Sequence, residues 1–410
     1  MTNTHAFIAE NRHRRIEEVA LEIAGRQDID VPFVLRQIEG WQRMRHKVPR
    51  LAATEGIIFP PRIALEQCSG AAAAEYKAAV VSRLLPEGMR NRMIDLTGGM
   101  GVDFSFIAPL FHTATYVERM PEIAMTARHN LPLLGIERVE YIVGDGIEVL
   151  REWQESASLI FVDPARRDAH GGKTVLIEDC EPDIATHLEL LLSHSGLTMV
   201  KLSPMLDIHR AVSTLHALRP GCVREVHVFA AEGECKDLLL VLDGRQSTPE
   251  PRIFCAEDAL HFSFLPSEET TVTDAFCTAP RTFLYEPGPA IMKAGAFRSV
   301  GHRYGVQKLH PNSHLYTSDI CVDNFPGRVF RVKEVFSFSK SDLRRLSATL
   351  TPCGNGKSAP PAANLAIRNF PDSVAKLRAR LKLREGGSHY LFATTLADGR
   401  KVLILGEACR

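Results

Sequence analysis

The 410-residue sequence has no closely spaced cysteines: it contains nine, and the nearest two, Cys222 and Cys235, are 13 positions apart. Without a Cys-x-x-Cys pair it offers neither a zinc ribbon nor a dithiol redox motif. His310 and His314 are four positions apart, but Pro311 between them argues against a helical metal site. It also lacks an uninterrupted apolar run of about 18 residues, which argues against a membrane-spanning helix. Scattered thiols, and an N-terminus with no apolar block after its arginines, predict a reduced cytoplasmic protein without a metal or a membrane partner.

The sequence has no net charge, because 49 basic residues match 49 acidic ones, but the two signs are unevenly distributed. Residues 328–410 contain 16 Lys and Arg against six Asp and Glu, so this stretch carries +10 and residues 1–327 carry −10. Such asymmetry is typical of a chain in which one module binds a polyanion. A solvated basic surface is the alternative.

Apolar patterns divide the first 246 residues into two parts. Residues 1–75 have apolar residues at helical spacing, which predicts a helical segment. Residues 76–246 alternate short apolar runs with helical patterns, which predicts an α/β domain with a parallel sheet. The runs are 93–96, 115–118, 139–143, 159–163 and 197–200, followed by an antiparallel pair at 223–230 and 238–243. The expected fold is therefore a Rossmann-like sheet of seven strands with an antiparallel edge pair.

The rest of the chain has an α+β pattern, which we divide into segments 247–322 and 323–410. The expected elements of the second segment are strands at 329–338 and 364–369, helices at 341–350 and 373–383, and a hairpin of 390–396 with 402–405. Asp398-Gly399 supplies the turn of that hairpin, since this dipeptide tolerates the positive φ angles that such turns need.

A glycine-rich stretch follows the first strand of the α/β domain and opens a helix, where open α/β sheets place their ligands. It reads Asp95-Leu96-Thr97-Gly98-Gly99-Met100-Gly101. When this stretch is aligned with the dinucleotide-binding fingerprint Gly-x-Gly-x-x-Gly, Phe104 occupies the position of the third glycine. The third glycine allows close packing of helix and strand, so a phenylalanine there argues against NAD as the ligand.

An acid followed by three residues and Gly-x-Gly resembles motif I of the class I S-adenosylmethionine-dependent methyltransferases. The resemblance implies S-adenosylmethionine as cofactor. In that family the acid ending the second strand holds the ribose hydroxyls, which matches Glu118, and an acid after the third strand meets the adenine amine, which matches Asp145. The implied cofactor-binding residues are Asp95, Thr97, Gly98, Gly99, Gly101, Glu118 and Asp145.

The acceptor side of the site is implied by Asp163-Pro164-Ala165-Arg166, which stands in place of the family's Asp/Asn-Pro-Pro-x motif. Asp163 and Pro164 are the candidate catalytic residues, expected to hold the exocyclic amine of a flipped base. Carbon-5 methylation of a pyrimidine needs a cysteine nucleophile, and Ser203 stands at the matching position, so a nitrogen acceptor is favoured. Candidate substrate-binding residues are Arg166, Arg167, Lys77 and Lys201.

The flanking segments extend the resemblance over the whole chain. Motifs such as Glu66-Gln67-Cys68-Ser69, Leu284-Tyr285-Glu286-Pro287 and Phe325-Pro326-Gly327-Arg328 look like a bacterial class I methyltransferase family with a ferredoxin-like and a THUMP-like domain. The resemblance assigns residues 247–322 to the ferredoxin-like domain and residues 323–410 to the THUMP-like domain. It implies an enzyme that methylates a base nitrogen of structured tRNA or rRNA. The alternatives are a methyltransferase acting on a protein or small molecule, and an inactive RNA-binding protein.

Overall fold

The computed structural model describes residues 3–166, 176–258, 260–351 and 361–409. The chain forms two compact units. The first comprises residues 1–229 and 236–251, and the second comprises residues 230–235 and 252–410. None of the described helices is both long and apolar enough to cross a membrane.

The first unit opens with helices, as the apolar spacing of its first 75 residues predicts. They are α1 (Asn3–Asn11), α2 (Ile16–Ile23), α3 (Val31–Lys47), α4 (Pro49–Ala53), α5 (Arg62–Gln67) and α6 (Ala71–Leu84). Helix α3 begins at Asp30, whose side chain accepts a hydrogen bond from the backbone N–H of Phe33. This cap satisfies one of the backbone donors that the first turn of a helix leaves unpaired.

A sheet follows in the same unit, with strands adjacent in the order β8-β9-β7-β4-β1-β2-β3. The strands are β1 (Arg92–Asp95), β2 (Thr113–Glu118), β3 (Val139–Val143), β4 (Ala157–Val162), β5 (Ala165–Arg166), β6 (Cys180–Glu181), β7 (Ser195–Leu202), β8 (Val223–Ala231) and β9 (Glu234–Leu242). The helices between them are α7 (Val102–Ile107), α8 (Pro121–Leu133), α9 (Gly146–Glu152), α10 (Leu188–Ser193) and α11 (Ile208–Leu218).

The pairing of these strands confirms the predicted fold class. Strands β3, β2, β1, β4 and β7 are parallel neighbours, and β9 runs antiparallel to β7. The short β5 and β6 form a separate antiparallel pair. Strands β1, β4 and β7 are buried almost throughout, which explains their continuous apolar sequences.

Two buried amides fix the extended segment that precedes α5. Gln37 of α3 donates to the carbonyl of Phe59 and accepts from its N–H, at 3.0 and 2.8 Å. Asn130 of α8 makes the same pair of bonds with Ile58, at 2.7 and 2.9 Å. Consecutive residues of one segment are therefore tied to an N-terminal helix and to a helix of the α/β domain.

The second unit contains a sheet in the order β13-β14-β12-β15-β18-β17-β16, and an antiparallel pair, β10 with β11. Its strands are β10 (Arg252–Glu257), β11 (Leu260–Phe264), β12 (Phe283–Pro287), β13 (Gln307–Lys308), β14 (Tyr316–Ser318), β15 (Gly327–Phe336), β16 (Asn364–Arg368), β17 (His389–Thr395) and β18 (Lys401–Ala408). Its helices are α12 (Pro266–Thr271), α13 (Pro289–Ala294), α14 (Phe297–Tyr304), α15 (Lys340–Leu350) and α16 (Val374–Leu381).

The sheet of the second unit continues across the boundary drawn from the sequence at 322/323. Strand β15 pairs with β12 from Phe283–Arg331 to Pro287–Gly327, and the predicted hairpin is present as β17 and β18. Glu286 of β12 is 2% exposed and pairs with the guanidinium groups of Arg328 and Arg368. The segments on either side of this boundary thus share one sheet and one buried ion-pair cluster.

We expect Asn130→Ala to lower the free energy of unfolding by about 1–3 kcal/mol, because it leaves the backbone N–H and C=O of Ile58 without partners. Urea denaturation measures this change. Asn91→Ala, at an exposed position whose side chain makes no hydrogen bond within the described residues, is the control and should change little. Equal effects of the two substitutions would show that the amide bridge contributes nothing.

Candidate functional site

The turn after β1 needs its glycines for steric and conformational reasons. Gly99 and Gly101 have φ angles of +53° and +81°, which side chains other than glycine rarely adopt. A Cβ atom on Gly98 would lie 2.2 Å from the ring of Tyr116, and the Tyr116 hydroxyl donates to the Gly99 carbonyl at 2.5 Å. The ring of a buried tyrosine on β2 therefore leaves no room for a side chain at Gly98.

Glu118 at the end of β2 is held against this turn. Its carboxylate accepts from the backbone N–H of Gly99 at 2.9 Å and from that of Met120 at 2.8 Å, and the residue is 9% exposed. Each carboxylate oxygen can accept more than one hydrogen bond, so the group retains capacity for a ligand's hydroxyls. The turn and the predicted ribose-binding acid form one rigid structure.

Asp95 at the end of β1 is 1% exposed and accepts a hydrogen bond from the N–H of Thr97 at 2.9 Å. Burial raises the pKa of Asp95 well above its ordinary value; the Thr97 N–H opposes this, and the negative charges of Asp103, Asp163 and Glu118 add to it. No cation pairs with Asp95 among the described residues. A cationic ligand at this position would be attracted to an uncompensated carboxylate.

Thr97 links two neighbouring strand ends. Its hydroxyl oxygen accepts from the backbone N–H of Asp163, at the end of β4, at 2.7 Å. A glycine at the position of Thr97 would lack this bond. The threonine therefore fixes the backbone of Asp163 relative to the glycine turn.

Asp163 forms an ion pair with Lys201 of β7, whose Nζ lies 2.5 Å from Oδ2. Burial raises the pKa of Asp163, while the Lys201 ammonium opposes that change. Burial lowers the pKa of Lys201, but the charges of Asp163, Asp237 and Asp103 outweigh burial and raise it above its ordinary value. Lys201 is therefore a cationic neighbour of the candidate catalytic carboxylate.

Lys77 of α6 has no exposed surface, in contrast to the substrate contact predicted from the sequence. Its Nζ lies 2.9 Å from Asp103 Oδ1, 2.5 Å from Asp237 Oδ2 and 3.0 Å from the Ser69 hydroxyl. Burial acts to raise the pKa of Asp103, but Lys77, Lys201 and Ser69 together hold it below its ordinary value. Lys77 therefore joins α6, α7 and β9 beneath the site.

Asp103 and Asp237 were not among the predicted site residues. Each has a sequence signal: an acid in the first turn of the helix after the glycine turn, and an acid next to the apolar run Leu238–Leu242. An isolated charged residue at the start of an apolar run suggests a buried partner. The sequence does not reveal that Asp103 and Asp237 both pair with Lys77.

The remaining predicted residues have these positions. Asp145 is exposed at the start of α9 and accepts from the N–H groups of Ile147 and Glu148 at 2.9 and 3.2 Å. Pro164 is buried after β4, the backbone of Arg166 lies in β5, and Arg167 falls outside the described residues. Because β3, β2, β1 and β4 are parallel neighbours, their carboxyl ends place Asp145, Glu118, Asp95 and Asp163 along one edge of the sheet.

Comparison with known protein families gives matches in the second unit. Residues 283–326 match a ferredoxin-like domain family, and residues 327–408 match a THUMP domain-like family. The border between these two matches falls where β15 begins.

Comparison with solved structures gives a match over the full length. The chain is 35% identical to a protein from Porphyromonas gingivalis W83 whose crystal structure is described as that of a methyltransferase candidate, with a TM-score of 0.85. The alignment covers 100% of this chain and 98% of that one.

Several curated relatives are described as methyltransferases. An uncharacterized S-adenosylmethionine-dependent methyltransferase of Mycobacterium tuberculosis H37Rv is 24% identical over 339 residues, covering 81% of this chain and 86% of that protein. An uncharacterized RNA methyltransferase of Clostridium tetani is 24% identical over 142 residues, 32% of this chain and 31% of that protein. A protein-L-isoaspartate O-methyltransferase of Methanoculleus marisnigri is 34% identical over 73 residues, 18% of this chain and 33% of that protein.

We expect Asp95→Asn to stabilise the ligand-free protein and to weaken S-adenosylmethionine binding. Folding raises the pKa of Asp95, so the protein loses stability as the pH rises above the pKa that this group has in the unfolded chain. The loss is about 1.4 kcal/mol per pH unit until the pH reaches the pKa of Asp95 in the folded protein. The asparagine variant avoids this cost, so its advantage should be absent in acid and grow toward neutral pH.

Urea denaturation from pH 4 to pH 8, together with calorimetric titration of S-adenosylmethionine, measures both effects. Glu152→Gln, at an exposed position in α9, is the control and should show neither. A stability difference between Asp95→Asn and wild type that does not vary with pH would contradict the explanation by burial.

Proposed function

Since the chain belongs to a family of S-adenosylmethionine-dependent methyltransferases with a ferredoxin-like and a THUMP-like domain, we propose that it methylates a base nitrogen of RNA. The observation that carries the proposal is the hydrogen bond from the Asp163 N–H to Thr97. It joins the candidate acceptor-side carboxylate to the turn that would hold the cofactor, so both substrates of a methyl transfer would meet at one sheet edge.

The cofactor would be held by three carboxylates with separate roles. Glu118 would accept hydrogen bonds from both ribose hydroxyls, and Asp145 one from the adenine amine. The buried charge of Asp95 would favour the cationic amine and sulfonium of S-adenosylmethionine. Thr97, Gly98, Gly99 and Gly101 would shape the turn that contacts the cofactor.

Asp163 would accept a hydrogen bond from the acceptor amine and orient it toward the methyl group, with Pro164 fixing the backbone beside it. Lys201 would keep that carboxylate ionised. Methyl transfer is an in-line displacement, so positioning supplies much of the rate acceleration. Arg166 and Arg167 follow directly along the chain, and we propose them as contacts to RNA phosphates.

A nitrogen acceptor agrees with the state of the nearby thiols. Burial raises the pKa of Cys68, whose surroundings include Asp103 and Lys201. Cys180 is 3% exposed, and its thiol donates to the carbonyl of Leu176 at 3.6 Å. A raised pKa at Cys68 and the burial of Cys180 both disfavour an attacking thiolate.

Only a few of the basic side chains in the described part of residues 328–410 lack a carboxylate partner. All six acids in this stretch form ion pairs with basic neighbours. Five exposed cations have no carboxylate partner among the described residues. One of them, Arg331, lies over the ring of Phe283 at 5.2 Å, and the other four are Lys340, Arg344, Lys382 and Lys401. We propose these four as the phosphate contacts of the THUMP-like domain.

The matching experiment is nucleoside mass spectrometry of tRNA and rRNA from a deletion strain and from its parent. Loss of one methylated base, restored by the purified enzyme and S-adenosylmethionine, would support the proposal and identify the nucleotide. If RNA is unchanged and the enzyme methylates a protein or a small molecule, the proposal is wrong. If the protein binds RNA but transfers no methyl group, it is an RNA-binding protein without activity.

We expect Asp163→Ala to affect methyl transfer and Glu118→Ala to affect cofactor binding. Asp163→Ala should abolish methyl transfer while leaving the affinity for S-adenosylmethionine nearly unchanged. Glu118→Ala should weaken cofactor binding by about 1–3 kcal/mol, because it removes a hydrogen-bond acceptor in a largely buried site. Calorimetry and single-turnover methylation of RNA from the deletion strain separate the two. Full turnover by Asp163→Ala would exclude its proposed role.

We expect weaker RNA binding, and a smaller dependence of that binding on salt, when glutamine replaces Lys340, Arg344, Lys382 and Lys401. Each lost phosphate contact should reduce the slope of log affinity against log salt by about 0.7 for single strands. The control replaces four cations that are already paired with carboxylates, namely Lys333, Arg345, Lys376 and Arg400. Both variants lose the same charge, so equal slopes would mean that only net charge matters.

A further inference from the structure

The second unit contains a cavity of about 360 Å³ that none of the proposed roles uses. It lies beside α14 and β13, mostly within the ferredoxin-like segment. The side chains that matter here are Asp274, Arg281, Arg298, His302, Gln307 and Lys308. Its volume is within the range of about 300–1,000 Å³ typical of sites for small ligands.

Positive charge exceeds negative charge in the lining of this cavity. Lys308 is 4% exposed, and its Nζ lies 2.7 Å from Asp274 Oδ1. The Nε of Arg298 is 3.6 Å from the other oxygen of Asp274, so this one carboxylate serves two cations. Arg281 adds a third cation, and its carboxylate partner, Asp319, lies outside the lining. An anion is the ligand that this arrangement favours.

The two guanidinium groups are anchored but not saturated. Arg281 donates through Nε to the Cys277 sulfur and through Nη1 to Asp319. Arg298 donates through Nη1 to the carbonyl of Glu269. In both, Nη2 has no hydrogen-bond partner within the described ranges. Anchored arginines with free N–H groups are suited to phosphate, whose oxygens accept paired N–H donors.

Gln307 distinguishes a nucleotide from a bare phosphate. Its amide Oε1 is buried and has no donor within the part of the chain that the structure describes. A buried acceptor without a donor costs free energy, and a ligand that donates a hydrogen bond to Oε1 would remove this cost. An ionised phosphate oxygen has no hydrogen to offer, whereas a ribose hydroxyl or a base amine has one.

We propose that this cavity binds one nucleotide unit of the RNA, with its phosphate at Arg281 and Arg298 and its sugar or base donating to Gln307. The inference rests on the proposed function, because that function makes RNA the substrate. A free mononucleotide offers the same chemistry, and the experiment below separates the two sources.

The first test uses the full-length protein and a short fluorescein-labelled single-stranded RNA of mixed sequence, with binding followed by anisotropy. We expect Arg281→Gln with Arg298→Gln to weaken binding about tenfold or more, as for the loss of two charge-assisted contacts. Arg298→Gln is also measured alone, and Arg303→Gln is its matched control, because Arg303 lies on the same helix as Arg298, is similarly exposed and similarly paired, but does not line the cavity. Arg303→Gln should bind RNA like wild type.

The second test replaces Gln307 by methionine, which keeps the length of the side chain but removes its amide. AMP, UMP and inorganic phosphate are then compared as competitors of the labelled RNA. Gln307→Met should weaken binding of RNA and of both nucleotides and leave competition by phosphate unchanged. Equal weakening of all competitors, or none, would overturn the nucleotide assignment. Unchanged affinity for S-adenosylmethionine and an unchanged melting temperature show that each variant is folded.

The outcomes separate this inference from the proposed function. If wild type binds and methylates RNA and the cavity variants do so equally well, the cavity proposal fails and the function stands. If AMP binding depends on the cavity residues but RNA binding does not, the cavity is a site for free nucleotides, and the assignment to RNA is wrong. If RNA from the deletion strain is unmodified in vitro and wild type does not bind it, the proposed function itself fails.

Discussion

The buried ammonium of Lys77 is the constraint on which the first unit depends. It has no exposed surface, and its partners are Asp103 of α7, Asp237 of β9 and Ser69, which lies two positions before α6. Removing a charge from water costs several kcal/mol, which is recovered only when opposite charges and hydrogen bonds surround it closely. The helix that follows the glycine turn is thereby fixed to α6 and to β9.

Above that cluster, the sheet edge concentrates negative charge. Asp95, Glu118, Asp145 and Asp163 end neighbouring parallel strands, and Lys201 balances only Asp163. Burial raises the pKa of Asp95, so ionising this carboxylate has an electrostatic cost. In the proposed site a cationic cofactor would relieve this cost and would bind more tightly because of it. This is the arrangement expected when S-adenosylmethionine supplies the missing positive charge.

The sequence predicted those features that depend on neighbouring residues. Apolar runs gave the strands, Asp398-Gly399 the hairpin, and the spacing from Asp95 to Gly101 the turn. It could not predict contacts between distant residues, such as Lys77 with Asp103 and Asp237, because composition does not reveal which carboxylate meets which ammonium. Nor could a boundary drawn from a change in pattern reveal that β12 and β15 pair within one sheet.

Counting charges overestimates what residues 328–410 could contribute to the proposed RNA binding. The six acids of this segment all form ion pairs, so many of the cations that make up its charge of +10 already have a carboxylate neighbour. A cation that must leave a carboxylate to reach a phosphate gains little, because one ion pair replaces another. Counterion release therefore comes mainly from a few unpaired side chains, and such binding is strongly salt-dependent but carries no sequence information. Under the proposed function, selection among RNAs would have to come from sites that recognise more than charge. The proposed sites of that kind are the carboxylate and ammonium at the ends of β4 and β7, and the cavity lined by Gln307 and two arginines.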